Sequence, residues 1–284
     1  MDNQLVNIKS MTDEQIMLAI GQDDGAAENN SLSRLSINRS PEDDNGNKLP
    51  VGHFAVYDPE IGQTVYGKPV TLRPFIGAMQ YMHFDPDKNE YVNRSIIVKN
   101  WKEEPIDALG GVRCGKVLYK DRDSLTPEQQ AIQRTIRCYK LIYGLVSFDG
   151  VKADGSKHAV KNLPVLYRVT GTAFTPVSTA LDKLKKLKKL MYTCTLTLET
   201  MRQKKGGNVF YVPEITVNGN ANLQLSNEDM STLTIFQDSI NVENESVITA
   251  YKEAKSKKAN GDDAKSAQII DDMNDQLPED VLSK

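Results

Sequence analysis

Aromatic side chains are confined to the middle of this chain, and their distribution decides where a packed core can form. All 19 aromatic residues among the 284 lie between Phe54 and Tyr251. Aromatic side chains bury large apolar areas and dominate the energetics of protein cores. We therefore expect one folded body in the middle of the chain, with a polar segment on either side of it.

Charge follows the same division. Residues 1–45 carry nine acidic and three basic side chains, residues 261–284 carry seven and two, and the stretch between them carries 22 and 30. The middle is therefore about +8, although the whole chain is −3. Cations that contact phosphates and rings that stack on bases are the two ingredients of single-strand binding. A globular domain with polar ends is the plainer interpretation of this pattern.

Turn-rich and acidic stretches divide the chain into three parts. Residues 1–47 are expected to be mostly disordered, with a capping-box pattern that predicts a short helix over 12–21. Ordered structure is expected from near Leu49, so residues 48–260 form the predicted core. Residues 261–284 form a second acidic segment that we expect to be disordered.

The sequence gives no sign of a membrane or secreted protein. No apolar run approaches the roughly 18 residues of a membrane span, and the first residues lack the signal-peptide pattern. The three cysteines, Cys114, Cys138 and Cys194, are odd in number and widely spaced, which fits reduced thiols better than disulfides. We expect a protein of the cytoplasm.

Enzymatic motifs are missing from the sequence. It contains no phosphate-binding P-loop, no G-x-G-x-x-G, no H-E-x-x-H and no paired C-x-x-C. The histidines His53, His83 and His158 are scattered along the chain. We therefore expect a protein without enzymatic activity, without a cofactor and without a metal site.

Alternating apolar residues predict a mainly β fold. The predicted elements of the core are strands at 91–99, 134–148 and 163–171, a helix at 177–190, and strands at 192–201 and 209–217. This order is that of the OB-fold, a five-stranded Greek-key barrel with a helix between its third and fourth strands. Further strands at 52–57 and 64–84 precede it, so we expect an elaborated OB-fold-like barrel with extra N-terminal strands.

Cations and aromatic residues on these strands are the candidate nucleic-acid contacts. Alternate residues of a strand share a face, and we expect Arg137, Tyr139 and Tyr143 not all to point the same way, so that some stack on bases and others fill the barrel. Lys204 and Lys205 occupy a hairpin loop, where a phosphate contact and a solvated turn are equally good interpretations. The other candidates are Arg73, Lys99, Trp101, Arg113, Lys116, Arg134, Arg168 and Tyr211.

Two stretches of the core resemble a known family. Pro164-Val165-Leu166-Tyr167-Arg168-Val169-Thr170-Gly171-Thr172-Ala173-Phe174 precedes a helix, and a strand pair then ends with Asn208-Val209-Phe210-Tyr211-Val212-Pro213-Glu214. With Val65-Tyr66-Gly67-Lys68 and Arg73-Pro74-Phe75 upstream, this pattern is similar to phage-type single-stranded DNA-binding proteins. The resemblance implies an OB-fold protein that coats single strands in phage DNA replication and recombination.

The resemblance also implies a partner for the acidic tail. Such proteins commonly carry an acidic C-terminal segment that contacts replication or recombination proteins. Its counterpart here contains Asp271, Asp272, Asp275, Glu279 and Asp280. The chain ends with Val281-Leu282-Ser283-Lys284, whereas many relatives end with an aromatic residue.

Two other functions fit the same sequence. A phage structural or assembly protein would use its β-rich body to contact other subunits and would not bind nucleic acid. A replication or recombination accessory factor would use the same barrel mainly to hold a protein. A homo-oligomer is compatible with each of the three interpretations.

Overall fold

A computed structural model describes residues 32–100 and 102–259. The chain divides into two units, Met1–Leu32 and Ser33–Lys284, and every element given below belongs to the second. The predicted helix at 12–21, Trp101 and the acidic tail at 261–284 lie outside the described residues.

The described residues form one mixed sheet of nine strands, which confirms the predicted mainly β fold. The strands are β1 (Ser33–Ile37), β2 (Phe54–Asp58), β3 (Gln63–Gly67), β4 (Val70–Asp85), β5 (Glu90–Arg94), β6 (Ile136–Lys152), β7 (Lys157–Val169), β8 (Thr195–Lys205) and β9 (Asn208–Asn218). The two longest, β4 and β6, run antiparallel in the centre of the sheet.

The strand order is β3-β2-β1-β7-β6-β4-β8-β9, and β5 pairs with the end of β4. Every pairing is antiparallel except that of β1 with β7. Because β3 also pairs with β6, the strands β1, β2, β3, β6 and β7 close into a ring. The main core fills this ring and continues under β4 and β8; we call the sheet surface that faces this core the inner face.

Three α-helices lie among the described residues: α1 (Pro127–Thr135), α2 (Phe174–Lys186) and α3 (Asn227–Ala259). Helix α2 follows β7 and packs on the inner face through Val177, Leu181 and Leu184, which are spaced for one side of a helix. It ends before the predicted residue 190. Leu187 and Leu190, predicted to continue the apolar side, are 49% and 62% exposed.

Helix α3 was not predicted. It begins after Ser226, whose hydroxyl accepts from the Asp229 backbone N–H at 3.1 Å while the Asp229 carboxylate accepts from the Ser226 N–H at 2.9 Å. This reciprocal capping box satisfies two backbone donors at the helix start. Phe236, Ile240 and Val247 follow at helical spacing and are buried. They cover part of the sheet surface opposite the core, which we call the outer face.

Ordered structure also begins earlier than expected. Strand β1 lies inside the segment 1–47 that was predicted to be mostly disordered, and its Leu35 is only 2% exposed in the main core. The strand predicted at 91–99 is the shorter β5, which pairs only with the end of β4. None of the helices in the described part of the chain combines the length and apolarity that crossing a bilayer requires.

Candidate nucleic-acid interface

Strand β6 presents three of the candidate residues on the outer face. Arg137 lies opposite Met82, Tyr139 opposite Gln80, and Tyr143 opposite Ile76 on β4. Positions two and six apart in a strand share a face, so the expectation that these three residues point in different directions is wrong. None of the three belongs to the main core.

Tyr143 lies beneath helix α3 and is 1% exposed. Its ring centroid is 5.8 Å from that of Phe236, and the Phe236 ring also meets Phe75 at 5.9 Å. A base cannot stack on a ring that is enclosed in this way. Tyr143 therefore anchors the helix and does not offer the predicted stacking surface.

Tyr139 is also buried, but it lies at the border of the exposed part of the outer face. The Arg168 guanidinium lies 5.1 Å from its ring centroid, and its hydroxyl is 2.8 Å from that of Tyr91. Burial, followed by the hydrogen bond to Tyr91, raises the pKa of Tyr139 to about 12. Tyr91 is 46% exposed, so it is the accessible ring of the pair.

Four arginines surround these tyrosines, and we call Arg34, Arg94, Arg137 and Arg168 the arginine cluster. Register places all four on the outer face: Arg34 lies opposite Leu166, Arg168 opposite Leu141, and Arg94 and Arg137 on either side of Met82. Arg34 and Arg137 are exposed and Arg168 is half-buried. The cluster joins strands that are far apart in the sequence.

Arg34 and Arg168 repel each other. Burial, and then the like charge of Arg168, lowers the pKa of Arg34. Among the described residues, neither arginine has a carboxylate within 4.0 Å. Arginines held close together, with neither in an ion pair with a carboxylate, form a site that favours an anion, and a guanidinium matches the geometry of a phosphate.

Comparisons with known proteins give no match that bears on the function of this interface. No family model, curated protein or solved structure matches this chain.

Arg73, a predicted phosphate contact, is engaged inside the fold. Its guanidinium donates to both Asp229 carboxylate oxygens at 3.0 Å, to the Tyr192 carbonyl at 2.8 Å and to the Gln224 carbonyl at 2.8 Å. These bonds hold the start of α3 against β4. We therefore assign Arg73 a structural role, because its side chain is already bound on all sides.

The hairpin between β8 and β9 carries a second cationic surface. Lys204 and Lys205 are exposed near its tip, but they are the last residues of β8, paired with Val209 and Asn208, so the prediction that they occupy the hairpin loop is wrong. Tyr211 lies opposite Arg202 and is half-buried, with its ring against Gly52. Gly52 has a φ of +79° and no room for a β-carbon beside that ring, so the loop before β2 approaches the hairpin only because residue 52 is glycine.

The connection between β5 and β6 holds the remaining candidates. Asp107, 1% exposed, accepts from the backbone N–H groups of Gly111 at 3.1 Å and Cys114 at 2.9 Å. These bonds fix the turn that presents Arg113 and, beyond it, Lys116, both half-buried. The exposed candidates of this region are Lys99 and Arg134.

Lys116 differs from the arginines because it loses its charge at a much lower pH. Burial, and then the charge of Arg122, lowers the pKa of Lys116 to about 8. The Lys116 ammonium also donates to the Gln133 carbonyl. Because its pKa is lower in the folded chain than the usual 10.5, Lys116 makes folding more favourable as pH rises from about 8 to 10.5. In the folded chain its charge is lost around pH 8, at the lower end of that range.

This titration gives a prediction for binding. If Lys116 contacts a phosphate, raising the pH from 7 to 9 should weaken binding to single-stranded DNA and reduce its logarithmic salt slope by about 0.7, the value for one contact. The arginines keep their charge throughout this range. The measurement is a salt titration at each pH. In Lys116→Arg the pH dependence should disappear; the same pH dependence in both proteins would exclude Lys116 as its source.

Sequence reasoning missed three residues of this interface: Arg34, Arg94 and Tyr91. Arg34 belongs to the segment expected to be disordered, and its neighbours became visible only through the pairing of β1 with β7. Arg94 and Tyr91 lie three positions apart in the predicted strand 91–99, where alternation places them on opposite faces. A bulge in the pairing of β5 with β4 brings them to the same face.

Proposed function

We propose that this chain is a single-stranded DNA-binding protein that binds without strong sequence preference. One observation carries the proposal: Arg34 and Arg168 lie together without a carboxylate partner among the described residues, beside Tyr139 and the exposed ring of Tyr91. Phosphates would bind the arginines and bases would stack on Tyr91. Such contacts address the backbone and the faces of bases, so they are sequence-tolerant.

The strand arrangement supports an OB-fold-like barrel as the framework. In the order β7-β6-β4-β8-β9, strands β4, β6, β7, β8 and β9 occupy the places of OB strands one to five, with α2 between the third and fourth. The first strand would then be β4 instead of the predicted 91–99. Strand β1 pairs along β7, so the extra N-terminal strands complete the ring on that side.

If this correspondence holds, the arginine cluster lies on the strands with which OB-folds bind their ligands. Oligonucleotides commonly lie across the second and third strands and against the loops that join strands one to two and four to five. Here β6 and β7 carry Arg137, Tyr139 and Arg168. Lys99 and Lys116 lie in the connection between the first and second of these strands, and Lys204 and Lys205 at the end of β8, next to the turn that joins the fourth and fifth.

The acidic tail belongs to the same proposal. Its charge is opposite to that of the arginine cluster, so it would compete with DNA or recruit replication and recombination proteins. These roles fit a non-enzymatic phage protein that works in the host cytoplasm. Truncation after Asn260 should therefore strengthen DNA binding if the tail competes.

A salt titration tests the proposal. Fluorescence anisotropy with a mixed-sequence single-stranded oligonucleotide should show micromolar or tighter binding whose logarithm falls linearly with the logarithm of salt. The matched control is Lys183→Ala/Lys186→Ala, which removes two exposed charges from α2 and should leave most of the affinity. Absence of binding at low salt would contradict the proposal and favour a phage assembly protein.

A further inference from the structure

One carboxylate reaches into the arginine cluster from helix α3. The Glu243 carboxylate lies 3.2 Å from the Arg94 guanidinium nitrogen Nε and accepts from the Gln80 amide at 2.9 Å. Its charge also acts on Arg34, whose pKa it raises against the effects of burial and of Arg168. Glu243 is therefore a local counterion where the sheet would meet phosphate.

The part of helix α3 that carries Glu243 is anchored to the sheet. The next residue, Asn244, holds the backbone of Ile97 on both sides: its amide oxygen accepts from the Ile97 N–H at 2.6 Å, and its amide nitrogen donates to the Ile97 carbonyl at 3.0 Å. Two turns earlier, Phe236 is fully buried against the outer face. These contacts hold the backbone of residue 243 beside the arginines, so its carboxylate stays within reach of them.

We propose that Glu243 is a built-in competitor for phosphate at the arginine cluster. In the free protein its carboxylate occupies Arg94 and partly compensates the charge of Arg34; a bound strand must share these arginines with it and is repelled by it. The inference rests on the proposed function and specifies how that site is regulated. Glu243 weakens binding, so a bound strand is released more readily.

The alternative is that Glu243 serves only to hold α3 in place. The side chains of Arg94 and Glu243 are 44% and 28% exposed, and ion pairs of this kind contribute little to stability because water already solvates both charges. The helix has stronger anchors in Phe236, in Asn244 and in the pair of Arg73 with Asp229. Position 243 can therefore lose its charge without releasing the helix.

The test is Glu243→Gln, which keeps a side-chain oxygen for the Gln80 amide and removes the charge. We expect affinity for the single-stranded oligonucleotide to rise about tenfold at low salt. The salt slope should steepen by about 0.7, because the freed Arg94 gains one phosphate contact.

Arg94→Ala in the Glu243→Gln background should remove the added slope. Glu243→Asp withdraws the charge from Arg94, and an intermediate gain is expected if the glutamine variant does not fold.

The matched control is Glu245→Gln, an equal charge change at an exposed position two residues along the same helix. Its affinity should stay within about twofold of that of the unmodified chain, because its long-range effect is screened by salt. If the unmodified chain binds and Glu243→Gln binds no more tightly than Glu245→Gln, the inference is wrong and the proposed function stands. If none of these proteins binds DNA, the proposed function fails as well.

Discussion

Replacing Phe236 with alanine is expected to lower the free energy of unfolding by about 3–5 kcal/mol, the usual effect of removing a buried aromatic ring. The Phe236 side chain is 0% exposed, and its ring lies between those of Phe75 and Tyr143. The cavity would open at the centre of the contact between α3 and the outer face. Urea unfolding monitored by circular dichroism measures the change.

The neighbouring residue provides the control for this prediction. Ile235, the residue before it on α3, is 49% exposed, so Ile235→Ala should change the free energy of unfolding by less than about 0.5 kcal/mol. Phe236→Leu, which refills most of the cavity, should fall between the two. Equal stabilities for the two alanine variants would mean that α3 does not pack on the sheet as described.

The local patterns that predicted strands were most reliable in the second half of the sheet. The prediction of strands at 209–217 and 192–201 corresponds to β9, Asn208–Asn218, and to most of β8, Thr195–Lys205. Strands joined by a tight turn are specified by alternation and turn residues close in sequence. Strand β6 was also predicted, at 134–148, from its own apolar run, whereas the single strand predicted at 64–84 is two strands, β3 and β4.

Helix α3 and strand β1 were missed for different reasons. The signals for α3 are present as the capping pair Ser226 and Asp229 and as Phe236, Ile240 and Val247. Exposed apolar residues of the same helix, Met230, Ile235 and Val242, obscure the helical period. Strand β1 has only five residues and is held by its parallel pairing with β7, more than 100 residues away in the sequence. A contact of that kind leaves no local pattern.

The difference between local patterns and contacts distant in sequence also separates the part of the site that could be predicted from the part that could not. Correct use of alternation shows that Arg137, Tyr139 and Tyr143 share a face. It does not show that α3 covers Tyr143, or that Arg73 is used to hold that helix. Arg34 and Arg168 lie close together because β1 is next to β7 in the sheet, and this strand order is a tertiary property.

Removing both Arg34 and Arg168 is expected to have the largest effect on binding. Arg34→Ala/Arg168→Ala should weaken binding to the single-stranded oligonucleotide by at least about 100-fold at low salt, since each of the two charge-assisted contacts is worth about 1.5–3 kcal/mol. The salt slope should fall by about 1.4, which corresponds to two phosphate contacts. Anisotropy titrations at several salt concentrations give both quantities.

The stability of this double variant distinguishes a binding site from a structural one. Losing the contact of Arg168 with the Tyr139 ring should cost about 0.5–1 kcal/mol, and relief of the repulsion between Arg34 and Arg168 should offset it. We therefore expect weak binding from a protein that is as stable as the unmodified chain. Loss of stability together with affinity would make the arginines structural, and unchanged affinity would place the DNA elsewhere. Lys183→Ala/Lys186→Ala, with the same loss of charge on α2, should match the unmodified chain in stability and retain most of its affinity.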